Sequence, residues 1–200
     1  LDEFSRRAHN IIASPRTREA FDLSREPDSI TNRFGPNESG QSLLLACRLI
    51  EAGVRFVTVM IDGWDTHQDN FKELRTRLLP EFDLGFAALL DTLAERGLLS
   101  STVVLAAGEF GRTPKINGNR GRDHWARASV AVLAGGGIRG GQVVGASDDK
   151  AAEPVGTGFT PDDLAATFLD QIGINPRQEF HSGSGRPITL VRNGSVIRDL

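Results

Sequence analysis

Val54-Arg55-Phe56-Val57-Thr58-Val59-Met60-Ile61 runs straight into Asp62-Gly63-Trp64-Asp65-Thr66-His67. The first eight residues are mostly apolar and rich in β-branched side chains, the pattern of a buried strand. Two later stretches pair an apolar run with a polar loop in the same way. Residues 102–107 lead into Gly108-Glu109-Phe110-Gly111-Arg112, and Gly121-Arg122-Asp123-His124-Trp125 precedes residues 129–134. Between the first two runs, Leu74, Leu78, Leu79, Phe82, Phe86, Leu89, Leu90 and Leu93 recur at helical spacing, which predicts a helix over 71–96. Strand, helix and strand joined by a long connection predict a βαβ unit. The expected fold class is therefore α/β, a mostly parallel β-sheet sandwiched by helices.

Other elements follow outward. Residues 41–52 read as a helix ended by Gly53. Pro80 is expected to kink or divide the long helix, because its ring opposes the carbonyl four residues back. Residues 1–40 form a polar, short-helical lead-in, with Ser14-Pro15 as cap and first helical residue. A second short helix starts at Asp28 or Ser29, and the whole segment is expected to pack against a sheet. Thr160-Pro161-Asp162-Asp163 opens a helix that runs to about Ile172. Asn193-Gly194 predicts a hairpin turn between 186–191 and 195–197. Residues 41–200 make up the main α/β domain.

The bulk numbers narrow the function classes. Two hundred residues suffice for a domain with a sizeable core. Apolar content of 39% and charged content of 24% fit a soluble globular chain. A net charge of -3 argues against a dedicated nucleic-acid or anionic-membrane binder. No apolar run approaches the roughly 20 residues of a membrane span. Cys47, the single cysteine, cannot form an intrachain disulfide and reads as a small core residue. The chain begins at Leu1 and its one methionine is Met60, so a processed product or fragment is expected and targeting is not legible.

The chemistry lies in the loops beside the apolar runs. In open α/β sheets ligands bind beyond the carboxyl ends of strands. Asp65 and His67, two apart in extended backbone, project to the same side. Carboxylate oxygen with imidazole nitrogen suits Zn²⁺ or Mn²⁺ ahead of Ca²⁺, which prefers an all-oxygen cage. The competing reading makes Asp65 a helix cap and His67 a surface residue. Glu109 adds a carboxylate, and Arg112 a planar fork matched to phosphate or sulfate oxygens. The plainer alternative there is an Arg112–Glu109 ion pair closing the loop. His124 is a second imidazole, with Asp123 a ligand or an orienting partner; the alternative packs His124 on Trp125. Lys115 is a weaker candidate for the anion-binding role of Arg112. Gly135-Gly136-Gly137-Ile138-Arg139-Gly140 matches a dinucleotide fingerprint, but no helix pattern follows, so a glycine hairpin is expected instead.

Taken in order, Gln41 to Ala46, Gly53 to Val57, Gly63 to His67, Gly108 to Pro114, Gly121 to Trp125 and Gly135 to Gly141 resemble the DUF1501 family. The resemblance covers about residues 30–200. It implies a sulfatase-like protein of the alkaline phosphatase-like superfamily, with a parallel-sheet α/β/α fold and a two-metal site for sulfate- or phosphate-ester hydrolysis. By position, Asp65 and His67 resemble the ligands of one metal, and His124 the late histidine that completes it. Glu109 stands where members carry an Asp followed by His, and here the next residue is Phe110. The superfamily nucleophile belongs to an N-terminal segment without a counterpart here, so the chain is expected to be the C-terminal portion of a longer domain. The implied partner is a small-molecule or glycan sulfate or phosphate ester, and the implied location periplasmic or secreted. The other reading of the same residues is a non-catalytic, degenerate hydrolase-like protein that binds a sulfated glycan or serves a structural role.

Overall fold

The computed structural model describes residues 2–156 and 158–200, and the chain divides into two units, Leu1–Leu98 and Leu99–Leu200. In the first unit local rules are obeyed closely. Helix α1 spans Glu3–Ala13. Ser14 accepts a hydrogen bond from the Thr17 N–H and Pro15 opens α2 (Pro15–Phe21), as the cap motif predicts. A 3₁₀ turn (Leu23–Arg25), α3 (Asp28–Phe34) and α4 (Glu38–Glu51) follow. The long helical pattern is realised as α5 (Asn70–Glu73), a π-turn (Leu74–Leu78) and α6 (Leu79–Glu95). Pro80 sits just after the π-turn. There the Leu79 N–H bonds Leu74 O, five residues back. Widening the turn by one residue accommodates a proline ring that would press on the carbonyl four residues earlier in an ordinary α-turn.

The core of this unit lies where α3, α4 and α6 meet. Phe34, Leu44, Cys47 and Leu93 are fully buried there. Burial pushes the Cys47 thiol up to about 11, the behaviour of a packed core cysteine. The lead-in packs on helices rather than on a sheet, α2 against α4 and α3 against both α4 and α6. Glu26 locks it down. Its carboxylate, 5% exposed, takes Arg48 Nη1 at 2.5 Å and Arg96 Nη2 at 2.6 Å. Arg48 also donates to the carbonyls of Glu19 and Ala20. Burial alone pushes the Glu26 carboxyl up, but hydrogen bonds from Arg96 and Arg48 override it and hold its pKa below the ordinary value.

Residues 54–61 are extended, yet no ladder among the described residues includes them. Phe56 and Met60 are exposed while Val57, Val59 and Ile61 are half-buried. The period of two is present, but among the described residues no strand is paired with it.

The second unit begins with a 3₁₀ turn (Leu99–Ser101). Strand β1 (Val103–Ala107) pairs antiparallel with β4 (Ala131–Gly135), Val103 opposite Gly135 and Ala107 opposite Ala131. Three further antiparallel pairs complete the ladders: β2 (Gly111–Arg112) with β3 (His124–Trp125), β5 (Ala146–Ser147) with β6 (Pro154–Val155), and β7 (Glu179–His181) with β8 (Pro187–Thr189). This overturns the expected fold class. The described residues are helix-rich with short two-stranded antiparallel sheets, not a mostly parallel sheet sandwiched by helices. The alkaline phosphatase-like architecture goes with that expectation. The reason is the connection: a parallel pair needs a crossover, usually a helix, and residues 108–130 contain only turns and the β2–β3 pair.

Helix α7 (Pro161–Gln171) carries a full capping box, Thr160 with Asp163. The predicted hairpin at Asn193-Gly194 is absent among the described residues, since the chain's last ladder is β7–β8. Instead the tail laces onto α7. Ser195 N–H donates to Asp163 Oδ1 and Ile197 N–H to Thr167 Oγ1. The Ser195 N–H first, then the Thr160 hydroxyl and N–H, hold the Asp163 carboxyl below its ordinary pKa. Gly194 is needed for close approach, because a Cβ there would stand 2.0 Å from Asp162 O. The glycine run 135–137 forms a turn; among the described residues no helix follows before α7, and no strand after the turn pairs with β4, so neither a dinucleotide loop nor the expected glycine hairpin forms. Among the described residues no helix is long and apolar enough to cross a membrane.

Candidate functional site

In the first unit, the turn carrying Asp65 and His67 is anchored from both sides. Before it, the Trp64 indole meets Phe82 edge-on at 5.8 Å, and Phe82 stacks on Phe86, both on α6. Within it, the Thr66 N–H bonds Trp64 O and the His67 N–H bonds Asp65 O, two successive three-residue turns. Extended backbone is therefore not what brings the two side chains together. They converge nonetheless, with His67 Nε2 3.2 Å from Asp65 Oδ1, and both partly open to solvent. Asp65 does not cap the helix that follows, since Asp69 takes that position.

In the second unit, the β2–β3 pair sets Arg112 directly opposite His124, and Gly111 opposite Trp125. Directly opposed residues project to the same face of an antiparallel pair. A guanidinium and an imidazole thus share one face. Gly111 makes the close approach feasible, because a Cβ would fall 1.8 Å from Ala128 O. The His124 ring packs on Phe110, centroids 4.3 Å apart, rather than on Trp125. Trp125 is occupied elsewhere: its Nε1–H donates to Ala152 O, and Arg127 lies over its ring while paired with Glu153.

The loop between β2 and β3 is held by its own polar groups. Arg112 Nη1 donates to Arg122 O, and Arg122 Nη1 donates to Thr113 O and Pro114 O. Asp123 N–H donates to Thr113 Oγ1, while Asp123 O accepts from the Thr113 N–H. Asn117 is the organiser, since its Oδ1 accepts from the Asn119 and Gly121 N–H groups and its Nδ2 donates to Asp123 Oδ1. Asp123 thereby orients the loop. Glu109 is exposed, and among the described residues it makes no ion pair, so the Arg112–Glu109 closure does not form. Lys115 is exposed, and its carbonyl accepts from Thr113 Oγ1.

The structure therefore joins Asp65 to His67, and Arg112 to His124 with Phe110 and Asp123 nearby. It leaves Glu109 and Lys115 unengaged. Sequence reading missed Thr66, Asn70 and Asn117, the polar side chains that hold the two loops. Their signal is faint: short polar residues at close spacing beside a motif. A family model described as "Protein of unknown function (DUF1501)" matches residues 2–200. The chain belongs to the DUF1501 family. Every candidate residue of this DUF1501 chain falls within that match, and no curated protein and no solved structure matches it.

Proposed function

We propose that this DUF1501 chain belongs to a metal-dependent hydrolase of sulfate or phosphate esters, with Asp65 and His67 as metal ligands in the first unit and His124 as a ligand-type imidazole in the second. The carboxylate–imidazole pair suits Zn²⁺ or Mn²⁺, and an imidazole such as that of His124 suits the same ions. Glu109 and Asp123 are further carboxylates for the same chemistry, and Phe110 cannot contribute a ligand. The observation that supports the substrate class best is the register of Arg112 opposite His124. It sets a fork for anionic oxygens on the same strand face as a ligand-type imidazole.

A bound cation would supply Lewis-acid polarisation of an ester's non-bridging oxygen. The chain's own residues supply the rest. Arg112 binds and orients the anion and neutralises charge that develops on it. Phe110, packed on His124, fixes the imidazole plane. Lys115 extends positive charge from the loop into solvent and steers anions toward it.

The test is metal analysis of the whole protein, with hydrolysis of aryl sulfate and aryl phosphate measured in parallel. Stoichiometric Zn²⁺ or Mn²⁺ is expected, with activity falling about 100-fold or more in Asp65→Ala and His124→Ala, in line with loss of a metal ligand. A protein that holds no metal, or activity indifferent to both substitutions, rejects the proposal. The Phe110 ring against His124, where a second imidazole ligand would serve a second metal, favours one other reading. In it the site binds a sulfated glycan without turnover. A metal-loaded protein that binds sulfated glycan and hydrolyses neither ester would select it.

A further inference from the structure

Two buried polar side chains support the Asp65–His67 turn. Thr66, between the two ligands, is 6% exposed, and Asn70 is 3% exposed. Asn70 Nδ2 donates to Thr66 Oγ1. The other end of the amide, Oδ1, is buried with no hydrogen-bond partner. Exchanging the amide's two ends would leave its Nδ2 unpartnered instead, so either assignment strands one polar atom. Asn70 also follows Asp69, a non-glycine residue held at φ 45° and ψ 36°. Strained backbone and an unsatisfied buried polar atom both oppose folding, and both concentrate at functional sites. An apolar pair of the same shape would pack here at no such disadvantage.

We infer that Asn70 is a positioning residue: through Thr66 it fixes the turn that makes Asp65 and His67 converge. The deduction rests on the metal-site reading above for its purpose, but its mechanical content is independent of it. One side chain–side chain hydrogen bond, made away from water, clamps the middle residue of the turn. The two ligands on either side then keep their 3.2 Å approach. The geometry is set before a cation arrives, which is how supporting residues tune a metal site.

The experiment replaces both partners by apolar isosteres, Thr66→Val with Asn70→Leu, and adds Asn70→Asp as the conservative variant. Metal-free protein is measured first, by thermal melting and by amide exchange at residues 66 and 67, whose N–H groups close the two short turns. Titration with Co²⁺ as a probe follows, read by its visible absorption. The double variant is expected to melt at or above the parent temperature, to exchange those two amides at least 10-fold faster, and to bind Co²⁺ at least 10-fold more weakly with an altered band. Asn70→Asp, which keeps an oxygen in reach of Thr66, is expected to recover part of the amide protection. Unchanged exchange and unchanged Co²⁺ binding in the double variant overturn the inference. So does a drop in melting temperature that accounts for the whole loss, since that marks an ordinary structural bond. Parent protein that shows slow exchange at 66 and 67 but takes up no Co²⁺ defeats the metal-site reading and leaves the clamp standing.

Discussion

The two units are held together by different means. Among the described residues, buried apolar side chains belong to the first unit with the exceptions of Ala166, Pro176 and Val191. Helices there interlock through Phe34, Leu44 and Leu93, and a buried carboxylate with two guanidiniums ties the lead-in to α4 and α6. The second unit consists of short ladders and loops whose turns are closed by Asn117, Arg122, Asp148 and Asp163. Packing is non-directional and cumulative, whereas a turn depends on one or two donors. Asp65 and His67 thus stand on a turn anchored by aromatic packing, and Arg112 and His124 on one built from hydrogen bonds. The difference predicts where each of the two residue pairs is vulnerable.

The sharpest way to break this contrast is Leu44→Ala. Leu44 is fully buried, and truncation there should cost about 4 kcal/mol through lost transfer energy and a cavity. Denaturant unfolding followed by helical circular dichroism measures it. A loss under about 1 kcal/mol would show that packing does not dominate the first unit.

Glu26→Gln probes the buried charge cluster and should cost about 3 kcal/mol near neutral pH, because two largely buried guanidiniums lose the Glu26 counter-charge. The pH dependence carries a definite sign. Glu26 has a folded pKa below its unfolded value, so its stabilisation is complete above the ordinary carboxylate range and disappears as pH falls through the lowered folded value. The stability gap between parent and variant should therefore close on acidification. A gap that persists in acid would place the stabilisation in packing rather than charge.

Asn117→Ala is the corresponding probe in the second unit. Removing the acceptor of two backbone N–H groups should cost about 1–2 kcal/mol. The effect is expected to be local, read as faster amide exchange at Asn119 and Gly121 with the first unit's melting unmoved. If the first unit's core were loosened as well, the description of this loop as a self-contained turn would be wrong.

What could be read in the sequence divides along the same line. Helix ends were legible because their signals are local: Ser14 before Pro15, Thr160 with Asp163, and Pro80 at the break in the long helix. Strand partnership was not. Val54 to Ile61 shows the alternation of a strand, but a ladder depends on a partner that no neighbouring residue specifies. The parallel sheet failed for a reason that was visible. Residues 108–130, rich in glycine, arginine and asparagine, offer no crossover helix, and β1 meets β4 antiparallel. Asn193-Gly194 has the composition of a hairpin turn, whereas Gly194 serves close packing on the start of α7. In the candidate site, the ligand-type residues announced themselves by chemistry. Thr66, Asn70 and Asn117 did not, because a side chain that positions another is recognised only by its contacts.

The π-turn at Leu74–Leu78 has a bearing on ancestry and engineering. A π-turn amounts to one extra residue in an α-helix, and each residue advances the helix by about 100°. Deleting one residue from this turn, with Pro80 replaced by Ala, would restore an unbroken α-helix. It would also rotate Asn70 by that angle about the helix axis and swing it out from under Thr66. The inserted residue therefore works as a phase setting, and sequences aligned across it with a one-residue gap should also differ at position 70.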